Sequence, residues 1–171
     1  MTRKKVVDYL EEQRRIAIFV DVQNIYYTVR DHYHRQFDYR KLWREMSQRG
    51  EITFATAYAI DRDDENQKKF QHKLKEIGFN IKLKPFIQRA DGSRKGDWDV
   101  GITVDVMEEA TRSDVVVMAT GDGDFTPLLE RVRERDGVKV WVISVRSLTA
   151  KNLIEVADEY FPIDGEMLIN R

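Results

Sequence analysis

At 171 residues the chain has room for one domain whose core needs no covalent staples. It has no cysteine, which removes disulfides, thiolate zinc sites and a cysteine nucleophile together and fits a reducing, cytoplasmic setting. With 29 basic against 30 acidic side chains, the net charge of −1 argues against a simple coat for duplex nucleic acid, whose affinity rests on phosphate neutralisation. No apolar run approaches the roughly 20 residues that cross a bilayer, so no membrane is expected.

Neither a repeat nor a linker divides the chain. Residues 1–15 are expected to form an N-terminal arm or short helix, basic and then acidic with no apolar stretch of a secretory signal, and residues 16–171 one domain. Ile16–Val20 is a continuous apolar run of strand length, as in a strand buried on both faces. Helical stretches follow over Asn24–Tyr33 and Tyr39–Arg49, the second closed by Gly50. Thr53–Ile60 reads as a strand, and Asp64 caps a helix that runs through Ile77 to a stop at Gly78. Phe79–Ile87 alternates apolar and basic residues, as a strand near a sheet edge does, before a polar loop at Gln88–Gly96 with turn chemistry in Asp91-Gly92.

Trp98–Thr111 reads as helix and Val115–Ala119 as the clearest buried strand. A helix begins at Thr126-Pro127, with proline in its first turn, and runs to Asp136-Gly137. Val138–Val145 is the next strand and Thr149–Glu159 the last helix. Strands alternating with helices of this length make an α/β fold with a mostly parallel sheet, whose ligand site lies beyond the carboxyl ends of the strands.

Those ends carry aspartates. Asp21 and Asn24 follow the first strand, and Thr120-Gly121-Asp122-Gly123-Asp124 follows the Val115–Ala119 strand. Asp97 and Asp99 open the helix before that strand, and Asp105 lies further along it. Carboxylates without cysteine or histidine are hard oxygen donors that suit Mg²⁺ or Mn²⁺. Each also has an ordinary alternative. Asp21 can cap a helix, Asp122 and Asp124 can shape a turn, Asp97 reads as an N-cap, and Asp99 suits a helix N-terminus. Asp105, six positions after Asp99, points about 120° away from it and reads as a supporting residue. His32, His34 and His72 have no metal spacing, and Tyr26, Tyr27, Tyr33, Phe37, Tyr39 and Trp43 read mainly as packing.

The stretches IAIFVDVQN, KGDWDVGITVDVM and VVVMATGDGDF, followed by a strand and SLTAKNLIEVADEYF, resemble the NYN domain in its LabA-like (DUF88) branch, within the PIN-like nuclease superfamily. The resemblance covers roughly residues 15–163. It implies a three-layer α/β/α sandwich and a metal-dependent ribonuclease, with Asp21, Asp99, Asp122 and Asp124 as the catalytic, metal-holding carboxylates. Asn24, Asp97, Asp105 and Thr120 would support them. Lys95-Gly96-Asp97-Trp98-Asp99 is one residue longer than the family's segment, so both Asp97 and Asp99 stay open as the matching carboxylate, and alignment on Asp105 favours Asp99. Asp21 is followed by Val22-Gln23 where the family has a glycine. The expected partner is single-stranded RNA, contacted by Arg89, Arg94 and Lys95; the alternative is a catalytically weak module that binds RNA or a protein. Whether two copies pair is left open.

Overall fold

The computed structural model describes residues 2–3, 13–85, 87–88, 94–95 and 97–170. Six parallel strands form one sheet in the order β3-β2-β1-β6-β7-β8. These are β1 (Arg15–Asp21), β2 (Glu51–Asp61), β3 (Asn80–Pro85), β6 (Val115–Ala119), β7 (Lys139–Ser144) and β8 (Glu159–Pro162). The two short strands β4 (Ile87–Gln88) and β5 (Arg94–Lys95) pair antiparallel beside it. The expected Asp91-Gly92 turn and residues 4–12 of the expected arm lie outside the described residues.

The central strands are the most apolar because helices cover both of their faces. All five residues from Ile16 to Val20 and all five from Val115 to Ala119 are buried, and a fully buried side chain of this kind contributes about 1.5–3 kcal/mol. On one face, Ile25 and Val29 of α1 (Val22–Tyr33), Leu42 and Met46 of α2 (Tyr39–Ser47) and Leu74 of α3 (Glu65–Ile77) join a single core cluster. On the other face, Ile102 and Val106 of α4 (Asp99–Glu109), Leu129 and Val132 of α5 (Thr126–Asp136) and Leu153 of α6 (Lys151–Val156) form a second. The result is the expected three-layer sandwich. No helix among the described residues is long and apolar enough to cross a membrane.

Three expected boundaries are corrected. Helix α2 ends at Ser47 rather than Arg49: the Gln48 N–H still reaches Arg44 O, but the Arg49 N–H bonds to Met46 O, three residues back, and the α-helical ladder stops. Gly50 is therefore no helix stop. A β-carbon there would stand 2.6 Å from the Arg14 carbonyl oxygen, so the residue is small to let the chain before β1 pass. The last helix is confined to Lys151–Val156, and the residues after it form β8. Asp158 turns the chain there, donating its N–H to Val140 O at 2.8 Å while its carboxylate accepts from Val140 N at 2.8 Å.

The strand order reverses between β1 and β6, with strands 2 and 3 to one side and 7 and 8 to the other. The connections leaving β1 and β6 therefore diverge, α1 onto one face and α5 onto the other, and a crevice opens beyond the carboxyl ends of these two strands.

Candidate metal centre

Asp21 ends β1 and caps α1, its Oδ1 accepting from the Asn24 N–H at 3.4 Å. Its Oδ2 accepts from the Thr120 hydroxyl at 3.1 Å, which ties the end of β1 to the end of β6. Asn24 closes the same gap in the other direction, since its Oδ1 accepts from the Gly121 N–H at 2.8 Å. Thr120 Oγ1 also accepts from the Asp122 N–H at 3.2 Å. Asn24 and Thr120 thus hold the two strand ends in register and fix the direction of Asp21.

Asp122 accepts from the Asp124 N–H at 2.9 Å and so caps the short 3₁₀ turn Gly123–Phe125 that feeds α5. The two glycines serve close packing against the segment that begins α6. A β-carbon on Gly121 would lie 2.9 Å from both Leu148 O and Thr149 Oγ1, and one on Gly123 would lie 2.6 Å from the Ala150 β-carbon. Larger residues at either place would push this turn off the end of β6.

On the neighbouring side Asp99 is the first residue of α4. The N-cap position is Trp98, which makes no side-chain capping bond; Asp97, expected there, instead accepts the Asp99 N–H at 3.2 Å from one residue further back. Trp98 anchors the segment by donating its Nε1–H to Ala59 O at 2.8 Å and packing its ring 5.4 Å from that of Tyr58. Lys84 lies 4.5 Å over the Trp98 ring and donates to Asp97 O at 3.0 Å. The ends of β2 and β3 thereby set where Asp99 stands.

These local arrangements converge. Carboxylate oxygens of Asp99, Asp122 and Asp124 all lie within 4.8 Å of one another. Asp99 and Asp122 are half-buried and Asp124 is exposed. Asp21 lies outside this group of three but close enough to Asp122 and Asp97 to feel their charge. Burial raises the Asp21 carboxyl to about 6, and the charges of Asp122 and Asp97 push it the same way against the hydrogen bonds from Asn24 and Thr120. Asp99 is likewise raised to about 6, first by burial and then by Asp122, Asp97, Asp21 and Asp124. Among the described residues none of these five aspartates forms an ion pair.

The donor set suits a small divalent cation. Opposite oxygens around Mg²⁺ stand about 4.2 Å apart, twice its usual 2.1 Å bond, so the 4.8 Å spread of the three carboxylates is within a small side-chain movement of one ion. A dication would also offset the burial and the mutual repulsion that together raise Asp21 and Asp99.

Asp105 does not join the group. It accepts from Tyr58 OH at 2.8 Å and from Lys82 Nζ at 2.7 Å, which ties the middle of α4 to β2 and β3. The phenol of Tyr58 is pushed well up by burial and by this carboxylate. From the sequence, Lys82 and Lys84 read either as an extension of a basic rim for RNA or as surface lysines. Their alternation along β3 was the available signal, since it puts both on the face where α4 packs. Of the basic residues expected to touch RNA, Arg89 lies outside the described residues, and Arg94 and Lys95 are described only as the backbone of β5. The histidines stand apart from the carboxylates; His32 Nδ1 is 3.2 Å from Ser147 Oγ and His72 pairs with Glu76.

A model of the NYN domain matches residues 15–164. The chain is 27% identical over 158 residues to the Low amplitude and bright protein LabA of Synechococcus elongatus, a match that covers 88% of this chain and 84% of that protein. It is also similar to a crystal structure of a protein of unknown function from Vibrio parahaemolyticus, at 48% identity and a TM-score of 0.88, covering 93% of this chain and 98% of that one.

Proposed function

The chain belongs to the NYN-domain family, and from that premise we propose that it is a ribonuclease that hydrolyses phosphodiester bonds of single-stranded RNA with Mg²⁺ or Mn²⁺. Membership in this branch of the PIN-like superfamily points to a nuclease-type function. The observation that carries the finer reading is the meeting of three carboxylates from two separate helix entrances within 4.8 Å, at the point where the strand order reverses.

In this reading Asp99, Asp122 and Asp124 hold the ion, and Asp21 stands beside them as the fourth carboxylate. Bound there, a divalent ion would polarise the scissile phosphate and lower the pKa of a water. Asp21, held by Thr120 and Asn24 beside these three, would accept a proton from an attacking water and give it back to solvent. Water oxygen bonds to phosphorus, the bond from phosphorus to the leaving ribose oxygen breaks, and that oxygen leaves as a hydroxyl by taking a proton from solvent. Asn24 and Thr120 keep Asp21 and the Gly121-Asp122 turn from separating. Arg94, Lys95 and Arg89 belong to the reading as contacts to the RNA backbone, and the reading places the chain in the cytoplasm.

The test is cleavage of single-stranded RNA, single-stranded DNA and a small phosphodiester, each with Mg²⁺, Mn²⁺ or EDTA. RNA should be cut with metal only, and Asp122→Asn should reduce cutting by several orders of magnitude. Cutting that survives EDTA or the substitution would overturn the proposal. RNA binding without cutting would make the chain a non-catalytic module.

A further inference from the structure

A groove of about 870 Å³ opens on the α1–α3 face, a size typical of ligand clefts. It starts at Val22 and Gln23, directly after Asp21, and takes in Ala59 and Ile60 at the carboxyl end of β2, the strand next to β1. Tyr39 lies in its floor, buried, and close enough to Asp21 for that charge to add to the upward push on its phenol. The groove therefore runs into the surroundings of the carboxylate centre.

Its walls have the opposite charge. Among the described residues, Arg30, Arg35, Arg62, Lys69 and Lys73 line it against one carboxylate, Asp64, which is engaged in capping α3 by accepting from the Gln67 N–H at 2.7 Å. Arg30 has a neighbour in Asp31 at 3.3 Å, an exposed pair that water screens. The aromatic content is arranged too. Tyr26 and Tyr27 meet edge to face at 5.3 Å, and the Arg30 guanidinium stands 5.5 Å from one ring and 4.8 Å from the other. Arg62 donates to Tyr27 OH at 3.3 Å. Tyr26 leaves 52% of its surface exposed although it was expected to pack, and a large exposed ring set beside cations on a rigid helix is what an unpaired base stacks on.

We propose that this groove seats the unpaired RNA strand flanking the scissile phosphate, with Tyr26 under a base and Arg30, Lys69 and Lys73 along the phosphates. The inference rests on the ribonuclease reading for the direction of the strand, and on the groove's own charge and rings for its occupant. A duplex does not fit the same description, because its bases are stacked on each other and offer no free face to Tyr26.

Binding is measured by fluorescence anisotropy of a 5′-labelled 15-nucleotide oligouridine in EDTA, so that nothing is cut. Tyr26→Ala should weaken binding about fivefold or more, the loss of one stacked base at tenfold per 1.4 kcal/mol. Lys69→Gln with Lys73→Gln should lower the slope of log affinity against log salt by about 1.4, from about 0.7 per phosphate on a single strand. Arg112→Gln with Arg131→Gln, on the opposite face, should change neither quantity. Affinity within twofold of wild type in the groove variants, equal losses from the opposite-face pair, or equal affinity for duplex RNA would each overturn the proposal. Failure of the wild type to cut RNA with Mn²⁺ would overturn the ribonuclease reading alone, because the EDTA measurement needs no chemistry.

Discussion

Asp122→Asn tests the carboxylate centre without reference to any substrate. Asp122 is the charge that acts most strongly on both Asp21 and Asp99, and its oxygen lies within 4.8 Å of those of Asp99 and Asp124. Two unit charges at that distance repel by about 3.5 kcal/mol at an effective dielectric of about 20. Exposure of Asp124 and partial exposure of the others screen this, which leaves about 1–2 kcal/mol for the variant to recover. Asparagine keeps an oxygen that can accept the Asp124 N–H, so the 3₁₀ turn survives. In EDTA at pH 7 the variant should therefore melt about 2–8 °C above wild type. The advantage should depend on pH with a definite sign. The Asp21 and Asp99 carboxyls are raised in the folded state from 3.8 to about 6, so they bind protons more tightly folded than unfolded. The stability they contribute is fully present below about pH 4 and is lost as pH rises through 6. The variant's advantage should accordingly be larger at pH 7 than at pH 4.5. With Mn²⁺ at 100 times its dissociation constant wild type should gain about 2.7 kcal/mol, and the variant should gain much less. A variant that melts at or below wild type in EDTA at every pH, and gains as much from Mn²⁺, would refute the picture of convergent, mutually repelling carboxylates.

Further outcomes follow from the residues around the centre. Asn24→Ala removes the acceptor of the buried Gly121 N–H and should cost about 1–3 kcal/mol, read as a lower denaturant midpoint with an unchanged slope. Gly121→Ala places a methyl 2.9 Å from Leu148 O and Thr149 Oγ1, and should destabilise the fold by about 1–3 kcal/mol and weaken Mn²⁺ binding by displacing Asp122. Calorimetric titration with Mn²⁺ checks the second effect; unchanged affinity would disconnect the turn from the centre. Tyr58→Phe breaks the 2.8 Å bond to Asp105 and should lower stability by about 1 kcal/mol while leaving Mn²⁺ affinity within twofold. A large loss of affinity there would bring Asp105 into the metal centre after all.

How far this was legible in advance depended on whether a signal was local. Ile16–Val20 and Val115–Ala119 announce themselves because a strand covered on both faces is apolar at every position. Asp64 and Gly78 frame α3 by capping chemistry contained in a few residues. Strand β8 did not announce itself. It is four residues at a sheet edge, half-buried, and it exists because Asp158 docks on β7. The role of Gly50 was equally invisible, since the Arg14 carbonyl that requires it is 36 positions away. The aspartates of the centre could be named from their motifs, and their distances could not. That Asp105 turns to Tyr58 and Lys82, and that Tyr26 faces outward, are consequences of packing between elements distant in the chain.

The same contrast separates the parts of this molecule built for stability from those that are not. Each helix entrance at the carboxyl edge is locally satisfied, because Asp21, Asp97 and Asp122 all accept backbone N–H groups in their own turns. If capping were the whole purpose, asparagine or serine would serve at each place without a charge. The chain instead keeps carboxylates at entrances that tertiary packing brings together, and locks their spacing with Asn24, Thr120 and two glycines that have no room for a side chain. A fold that buries such carboxylates beside one another at its switch point, so that burial and then mutual repulsion raise Asp21 and Asp99, gives up stability in the metal-free state. A dication drawn to that point reverses the sign of the interaction, so the acidity and the rigidity around it have one physical explanation.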